Sequence, residues 1–363
     1  MDINADIMEL VRGGKLALPP VVVTVVEPGG QAGGDAGGAA DYVDVQWEGQ
    51  RSRFVVEAQR LATPRAIQQA VASVKAVASP PETYPMIVVP YLAPARLEEL
   101  QAAGVSGLDL CGNGVIVVPG RMLVFRTGMP NRFPQSAKLR NVYRGKNSLV
   151  ARAFLIRPRF AQVKEIVALL AERQGGVTFS TVTKVLQRLE DDLVVSRDEG
   201  RRGEGAIRLI QADTLMEKLA ANYEPPVIVE RFRGKCDLSR EELARRLAVA
   251  ATAASGQLVL TGEASTEKFA VFAGEPVTYI YCTDSPARLL NAAGIDAKET
   301  DRFVNVELLR TADARVYFDA RDDNGVPFAS PIQTWLELAT GDKRQKDAAE
   351  QVKQGLLESL NNV

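Results

Sequence analysis

The stretch Thr178-Phe179-Ser180-Thr181-Val182-Thr183-Lys184-Val185-Leu186-Gln187-Arg188-Leu189 presents two unlike faces when wound as a helix. At about 100° per residue, Phe179, Val182, Val185, Leu186 and Leu189 fall in one arc of about 120°. Ser180, Thr181, Thr183, Lys184, Gln187 and Arg188 fill the opposite arc. One face is built to pack. The other carries hydroxyls, an amide and two long cations, the side chains that contact phosphates and base edges. Upstream, residues 160–174 read as a helix packing through Phe160, Val163, Ile166, Val167 and Leu170, and Gly175-Gly176 supplies the turn between the two helices. Downstream, Leu193–Arg197 and Ala206–Ile210 read as two strands around the polar, glycine-rich tip 198–205. This order predicts a winged helix over residues 140–212. Ser180, Thr181, Thr183, Lys184, Gln187 and Arg188 of its second helix, with Arg201, Arg202 and Arg208 of the hairpin, are the expected DNA-binding side chains. The acidic pair Asp191-Asp192 stands beside that helix and weighs against a polyanion.

Charge points the same way. Lys and Arg number 44 against 45 Asp and Glu, a net charge of −1, yet residues 132–210 hold 16 basic and 8 acidic side chains. A basic island in an otherwise acidic chain is an electrostatic footprint for nucleic acid, although a solvated basic surface has the same composition. The chain has no histidine, which excludes Ser-His-Asp and Cys-His nucleophile pairs and an HExxH zinc site. Its 3 cysteines, Cys111, Cys236 and Cys282, are far apart and form no CxxC, so no disulfide framework is expected. No apolar run approaches the roughly 18 residues of a membrane span, and Met1–Asp6 does not read as a signal peptide. A cytoplasmic protein without a cofactor is the expectation.

Residues 1–131 alternate strands and helices. Val21–Val26 and Tyr42–Trp47 are strand-like on either side of a Gly/Ala-rich loop, which therefore joins two strands of one sheet. Arg53–Ala58 and Met86–Pro90 continue the sheet, with helices at 63–77, opened by Thr63-Pro64, and at 93–103. Asp44 and Glu57, on successive strands, resemble the acidic pair of a PD-(D/E)XK nuclease, in which the carboxylates hold a divalent metal and a lysine two residues after the Glu assists water, although they also read as plain strand-surface carboxylates. Gln59 stands at the lysine position, so the expectation is a nuclease-like domain without turnover. Asp109-Leu110-Cys111-Gly112-Asn113-Gly114 reads as a tight turn between strands. A phosphate loop would need a helix after it. Residues 131–139 read as a linker. Pro225-Pro226 marks a second boundary, followed by mixed structure with helices near 239–254 and 343–361.

Several motifs carry a family resemblance. Val88-Val89-Pro90-Tyr91-Leu92 and Gly107-Leu108-Asp109-Leu110-Cys111-Gly112-Asn113 resemble the front domain of AbiEi-type regulators of type IV toxin–antitoxin systems. Leu260-Thr261-Gly262-Glu263-Ala264 resembles the family's LTG-x-x-A strand end. Ala329-Ser330-Pro331-Ile332-Gln333-Thr334-Trp335-Leu336-Glu337-Leu338 resembles its ASPIQ-T-x-LDL helix start, with Glu337 where the family often has Asp. Residues 342–355, with Arg344, Ala348, Ala349 and Glu350, resemble its closing helix. The resemblance implies an antitoxin that represses its own operon and opposes a nucleotidyltransferase-like toxin. The plainer role for the C-terminal motifs is fold maintenance, with Ser330 as a helix cap and Pro331 at the first helical position.

The expected fold class is thus α/β and α+β multidomain. It comprises a restriction-endonuclease-like domain (1–131), a central winged helix-turn-helix (140–224) and a C-terminal α+β antitoxin-type domain (227–363). The expected partner is duplex operator DNA. The alternatives are a metal-dependent nuclease using Asp44, Glu57 and Gln59, and a module that binds an acidic protein.

Overall fold

Six consecutive residues, Tyr84–Val89 (β4), are buried, as the apolar run Met86-Ile87-Val88-Val89 demands of a strand covered on both faces. In this computed structural model, residues 18–26, 41–133, 141–198, 205–272 and 277–361 are described. β4 lies parallel to Gln50–Ala58 (β3) on one side and Ser106–Asp109 (β5) on the other. The chain crosses between them through Pro64–Val77 (α1) and Pro94–Ala102 (α2). Thr63 caps α1 by accepting from the Ala66 amide at 3.3 Å, with Pro64 at the first turn, where a missing amide leaves no bond unmade. Both helices cover one face, where Ile67, Val74, Leu97 and Leu100 pack against Val55, Ile87 and Val89. The other face carries Phe54, Met86, Val88 and Leu108. Val22–Val26 (β1) and Asp41–Trp47 (β2) extend the sheet antiparallel at one edge, and Gly114–Val118 (β6) and Met122–Arg126 (β7) at the other, giving the order β1-β2-β3-β4-β5-β6-β7. The glycine-rich loop before residue 41 lies outside the described residues. The strands it joins pair directly, Thr24 opposite Asp44.

The Asp109 turn is organised by one buried carboxylate. Its Oδ1 accepts from the amides of Cys111, Gly112 and Asn113, each at 2.8 Å. Its Oδ2 accepts from the Leu92 amide at 2.9 Å and from Asn113 Nδ2 at 2.7 Å. Five donors satisfy a charge that burial would otherwise penalise. Asn113 passes the connection on, accepting from the Met129 amide at 2.8 Å. The motif is a structural clasp between β5, β6 and the loop before α2.

The chain divides into two compact units, Met1–Arg140 and Asn141–Val363. The second begins with Ser148–Ile156 (α3), Arg159–Phe160 (β8), Val163–Glu172 (α4), Phe179–Asp191 (α5), Val195–Arg197 (β9), Ile207–Leu209 (β10) and Ala212–Ala221 (α6). The three strands form a small antiparallel sheet in the order β8-β10-β9. Phe160, expected in a helix, instead belongs to β8, opposite Ile207. Pro158 just before it disfavours continued helix, and its carbonyl accepts from the Leu209 amide at 2.8 Å.

After residue 227 the chain builds a second seven-stranded sheet. Glu230–Cys236 (β11), Arg240–Ala253 (α7), Leu258–Thr261 (β12), Glu263–Thr266 (α8), Thr278–Cys282 (β13), Pro286–Ala292 (α9), Ala297–Glu299 (β14) and Val306–Arg310 (β15) lead to Ala314–Tyr317 (α10), Arg321–Asp323 (β16) and Val326–Phe328 (β17). Strand order is β14-β11-β15-β13-β12-β17-β16, with α7 and α9 packed on one face through Leu243, Leu247, Leu289 and Leu290. Two helices follow, Pro331–Ala339 (α11) and Lys343–Asn361 (α12). They turn back: Ile332, Trp335 and Leu336 of α11 and Val352 and Leu356 of α12 share one core with Phe154, Leu170, Val185, Leu186 and Leu215. The boundary expected at Pro225-Pro226 therefore lies inside the second unit, and among the described residues the core of 141–224 is shared with α11 and α12. No helix among the described residues is long and apolar enough to cross a membrane.

Candidate nucleic-acid interface

Helix α5 starts at Thr178, whose Oγ1 accepts from the Thr181 amide at 3.4 Å. Val182, Val185, Leu186 and Leu189 are buried, each contributing roughly 1.5–3 kcal/mol of gross burial. They anchor the helix on α3 and α4. The preceding turn needs Gly175-Gly176. A Cβ on Gly175 would stand 2.9 Å from the Leu170 carbonyl and 3.2 Å from the Phe318 ring, and Gly176 has φ of +54°. Phe179 differs from the sequence expectation. It is 52% exposed, because it occupies the first helical turn, beyond the reach of the core.

The polar arc sorts into two groups. Ser180, Lys184 and Gln187 are exposed, and Lys184 meets no acid among the described residues. Their spacing spans seven residues, roughly 10 Å of helix, a length matched to the roughly 12 Å major groove. Ser180 also joins the cap, its Oγ 3.3 Å from Thr178 Oγ1, and the others, exposed Thr183 among them, have local partners. Thr181 Oγ1 lies 3.0 Å from Thr178 Oγ1 in the cap, and Thr183 donates to the Phe179 carbonyl at 3.1 Å. Arg188 is half-buried and its Nε lies 3.2 Å from Asp192.

The acids beside the helix are largely withdrawn from the surface. Asp192 is buried, accepts from Tyr143 Oη at 2.6 Å and pairs with Arg188 and, at 3.6 Å, with Lys218. Burial, then the Asp192 charge, pushes the Tyr143 hydroxyl well above its ordinary range, so it stays a donor. Glu190 is buried and accepts from Arg197 at 2.8 Å, tying the end of α5 to β9. The sequence alone shows these as negative charges next to a cationic face. The fold turns Asp192 and Glu190 inward and pairs them, while Asp191 stays partly exposed.

The hairpin presents further cations. Arg208 is exposed on β10, with Asp198 3.4 Å away. Directly across, on β8, stands exposed Arg159, with no ion pair among the described residues. Sequence reasoning missed Arg159 because it assigned the residues around it to a helix. Its signal is the Arg-Pro-Arg-Phe stretch, where proline ends the helix. Arg201 and Arg202 lie outside the described residues.

Asp44 and Glu57 are not brought together. Asp44 is buried beneath two exposed arginines, accepting from Arg53 Nε at 2.9 Å and Arg51 Nε at 2.9 Å. Hydrogen bonding to Arg53 first, then Arg51, holds its carboxyl below the usual range despite desolvation. In register it faces Arg53, four residues from Glu57 along β3, so the two lie roughly 13 Å apart. Two carboxylates that share a metal each approach it to about 2.0–2.6 Å, and this register does not allow that. Glu57 instead accepts from Gln59 Nε2 at 3.1 Å, the neutral residue at the lysine position. Among the described residues no three His, Cys, Asp or Glu side chains cluster as metal ligands. Cys111, Cys236 and Cys282 are buried free thiols, and burial pushes Cys282 up to about 12.

The two C-terminal motif segments are adjacent in space. Thr261 donates to Glu337, and Tyr281 Oη donates to the same carboxylate at 3.2 Å. Comparison with family models, with curated proteins and with solved structures gave no match.

Proposed function

We propose that this protein is a DNA-binding transcriptional regulator in which residues 141–221 act as a winged helix and α5 reads the major groove. The observation that carries the reading is the order helix–strand–helix–helix–strand–strand, α3-β8-α4-α5-β9-β10, closed by the small sheet β8-β10-β9. In that arrangement the third helix is the recognition helix and the hairpin flanks it. Ser180, Lys184 and Gln187 are exposed on its outer face, and Arg159 and Arg208 add cations beside the hairpin. Thr181, Thr183 and Arg188 serve chiefly to shape the helix. The resemblance of its sequence motifs to AbiEi-type regulators supports the narrower proposal that it represses its own operon as a type IV antitoxin, with a nucleotidyltransferase-like toxin as counterpart. In that reading the first unit is a nuclease-like scaffold without turnover.

A gel-shift titration with duplex DNA at several salt concentrations tests the reading. Lys184→Ala should lower the salt slope by about 0.9, as expected for one lost phosphate contact. Gln187→Ala should instead relax preference at one base position by about 1–3 kcal/mol. Binding unaffected by both changes removes α5 from the interface.

A further inference from the structure

Within the second unit a cavity of about 640 Å³ opens between β12, β13 and α11. That is the size of an ordinary small-molecule site. Its floor is the Glu337 carboxylate, deep within the protein and partly exposed to the cavity. Thr261, Tyr281 and Gln333 donate to it, Gln333 Nε2 at 2.8 Å. A carboxylate has about four acceptor sites, so one remains for an incoming donor. No Lys or Arg among the described residues lies within ion-pair distance of Glu337, and the one guanidinium whose charge is felt there, Arg152, stands behind Gln333. Beside it the Tyr223 hydroxyl accepts from Gln333 Nε2 at 3.0 Å. Aromatic walls come from Tyr223, Tyr279, Tyr281 and Phe272.

The wall is shaped by Gly262, the glycine of the Leu-Thr-Gly stretch. It has φ of +61°, and a Cβ there would stand 3.0 Å from the Tyr279 ring. Any other residue would be strained and would displace the aromatic wall. Of the charged side chains that line the cavity among the described residues, Glu337, Glu263 and Asp342 are acidic and Arg344 is basic. Glu263 has Arg240 3.6 Å away. Burial favours the protonated form of Glu337, and an anion entering here would favour it further, whereas a bound cation would hold the carboxylate ionised in the proton's place. An amine or guanidinium would meet an acceptor at the floor and aromatic faces around it, a combination that favours organic cations.

The geometry points to this cavity as a binding site for a small organic cation, an amine or guanidine compound with an aliphatic or aromatic body. Its occupancy also has a route to α5. Gln333, whose amide nitrogen contacts Glu337, accepts through its Oε1 from Arg152 Nη1 at 2.8 Å. Arg152 is a fully buried guanidinium on α3, which packs against α5 in the shared core. A ligand that draws Glu337 toward the cavity shifts Gln333, and with it the side-chain acceptor of Arg152. This second step rests on the DNA-binding reading. The site itself does not.

The test is isothermal titration calorimetry of the full chain with tyramine, agmatine and spermidine, set against adenosine monophosphate and inorganic phosphate. At least one amine should bind with a Kd below a millimolar. Glu337→Gln should weaken it at least tenfold, and Tyr279→Leu, at a half-exposed wall, severalfold, with both variants keeping the far-UV spectrum of the parent. No amine binding, equal binding of the anions, or full affinity in Glu337→Gln overturns the site. Gel shifts with the binding amine present should then change DNA affinity at least threefold. An unchanged shift overturns the route to α5, and a chain that binds no DNA under any condition overturns the regulator reading while the calorimetry still decides the cavity.

Discussion

Helices α5 and α11 begin alike and end with opposite uses of their polar residues. Each is capped by a hydroxyl, Thr178 accepting from the Thr181 amide and Ser330 from the Gln333 amide at 3.1 Å. Each mixes apolar side chains with amides and charges. In α5 the apolar residues after Phe179 face the core, and Ser180, Lys184 and Gln187 face solvent. In α11 the apolar side chains Ile332, Trp335 and Leu336 are buried, and so are Gln333 and Thr334, with Glu337 at the cavity floor. Amphipathic periodicity thus locates a polar face but does not say what that face meets. A polar face left to solvent is free to engage a large polyanion. One turned inward must have every donor and acceptor satisfied, and a group left open there addresses a small ligand.

The sharpest way to break this comparison is to remove the core that α11 and α5 share. Trp335→Ala should cost about 3–5 kcal/mol in urea unfolding of the full chain, because the side chain is 4% exposed in that core. A fragment starting at Val227 should for the same reason fail to unfold cooperatively. It would leave Ile332, Trp335, Leu336, Val352 and Leu356 without the partners that residues 142–219 supply. A fragment that melts sharply, monitored by near-UV circular dichroism, would show that the two regions are independent after all.

Gln333→Leu should come next, costing about 1–3 kcal/mol, since it removes the side-chain acceptor of the buried Arg152 guanidinium and leaves only the Arg315 carbonyl at 3.2 Å. Burial already pushes Arg152 down to about 10. The matching change on α5, Gln187→Ala, should stay within about 0.5 kcal/mol for an exposed side chain. Equal losses at the two positions would erase the distinction between an inward and an outward polar face.

The smallest effect is in pH dependence, and it separates Glu337 from Asp44. Burial holds Glu337 above the ordinary carboxylate range, outweighing the hydrogen bonds from Thr261, Gln333 and Tyr281. Its folded state favours the proton, so its contribution is full below the ordinary carboxylate range and is lost as pH rises through the raised value. Asp44, held low by Arg53 and Arg51, runs the other way. Its contribution is present above the ordinary range and is lost as pH falls through the lowered value. Urea unfolding between pH 3 and pH 8 should therefore show Glu337→Gln gaining on the parent as pH rises and Asp44→Asn losing on it. The same direction of change in both variants would contradict these environments.

Much of α5 is legible in the residues themselves. Val182, Val185, Leu186 and Leu189 carry a helical period that fits only one packed face, and Gly175-Gly176 marks the turn ahead of it. Thr63-Pro64 and Ser330-Pro331 announce their helices because capping is decided by residues within one turn. The departures from the sequence expectation share a cause. Phe160 belongs to β8 because Ile207 pairs with it from almost fifty positions away. Arg188 lies against Asp192, and Asp44 lies under Arg51 and Arg53, because helix geometry and strand register set those meetings. Arg159 takes its meaning from Arg208 across the sheet.

The sequence by itself determined the mixed α/β composition, the helix caps, the basic island at 132–210 and the polar arc of the central helix, all of which depend on residues within a few positions of one another. It took the folded chain to show that residues 331–361 complete the core of the central segment, that Asp44 and Glu57 stand apart, and that Thr261, Tyr281 and Glu337 converge on one cavity. Those outcomes depend on pairings between distant segments, where burial and register select one arrangement among many that local periodicity leaves equally open.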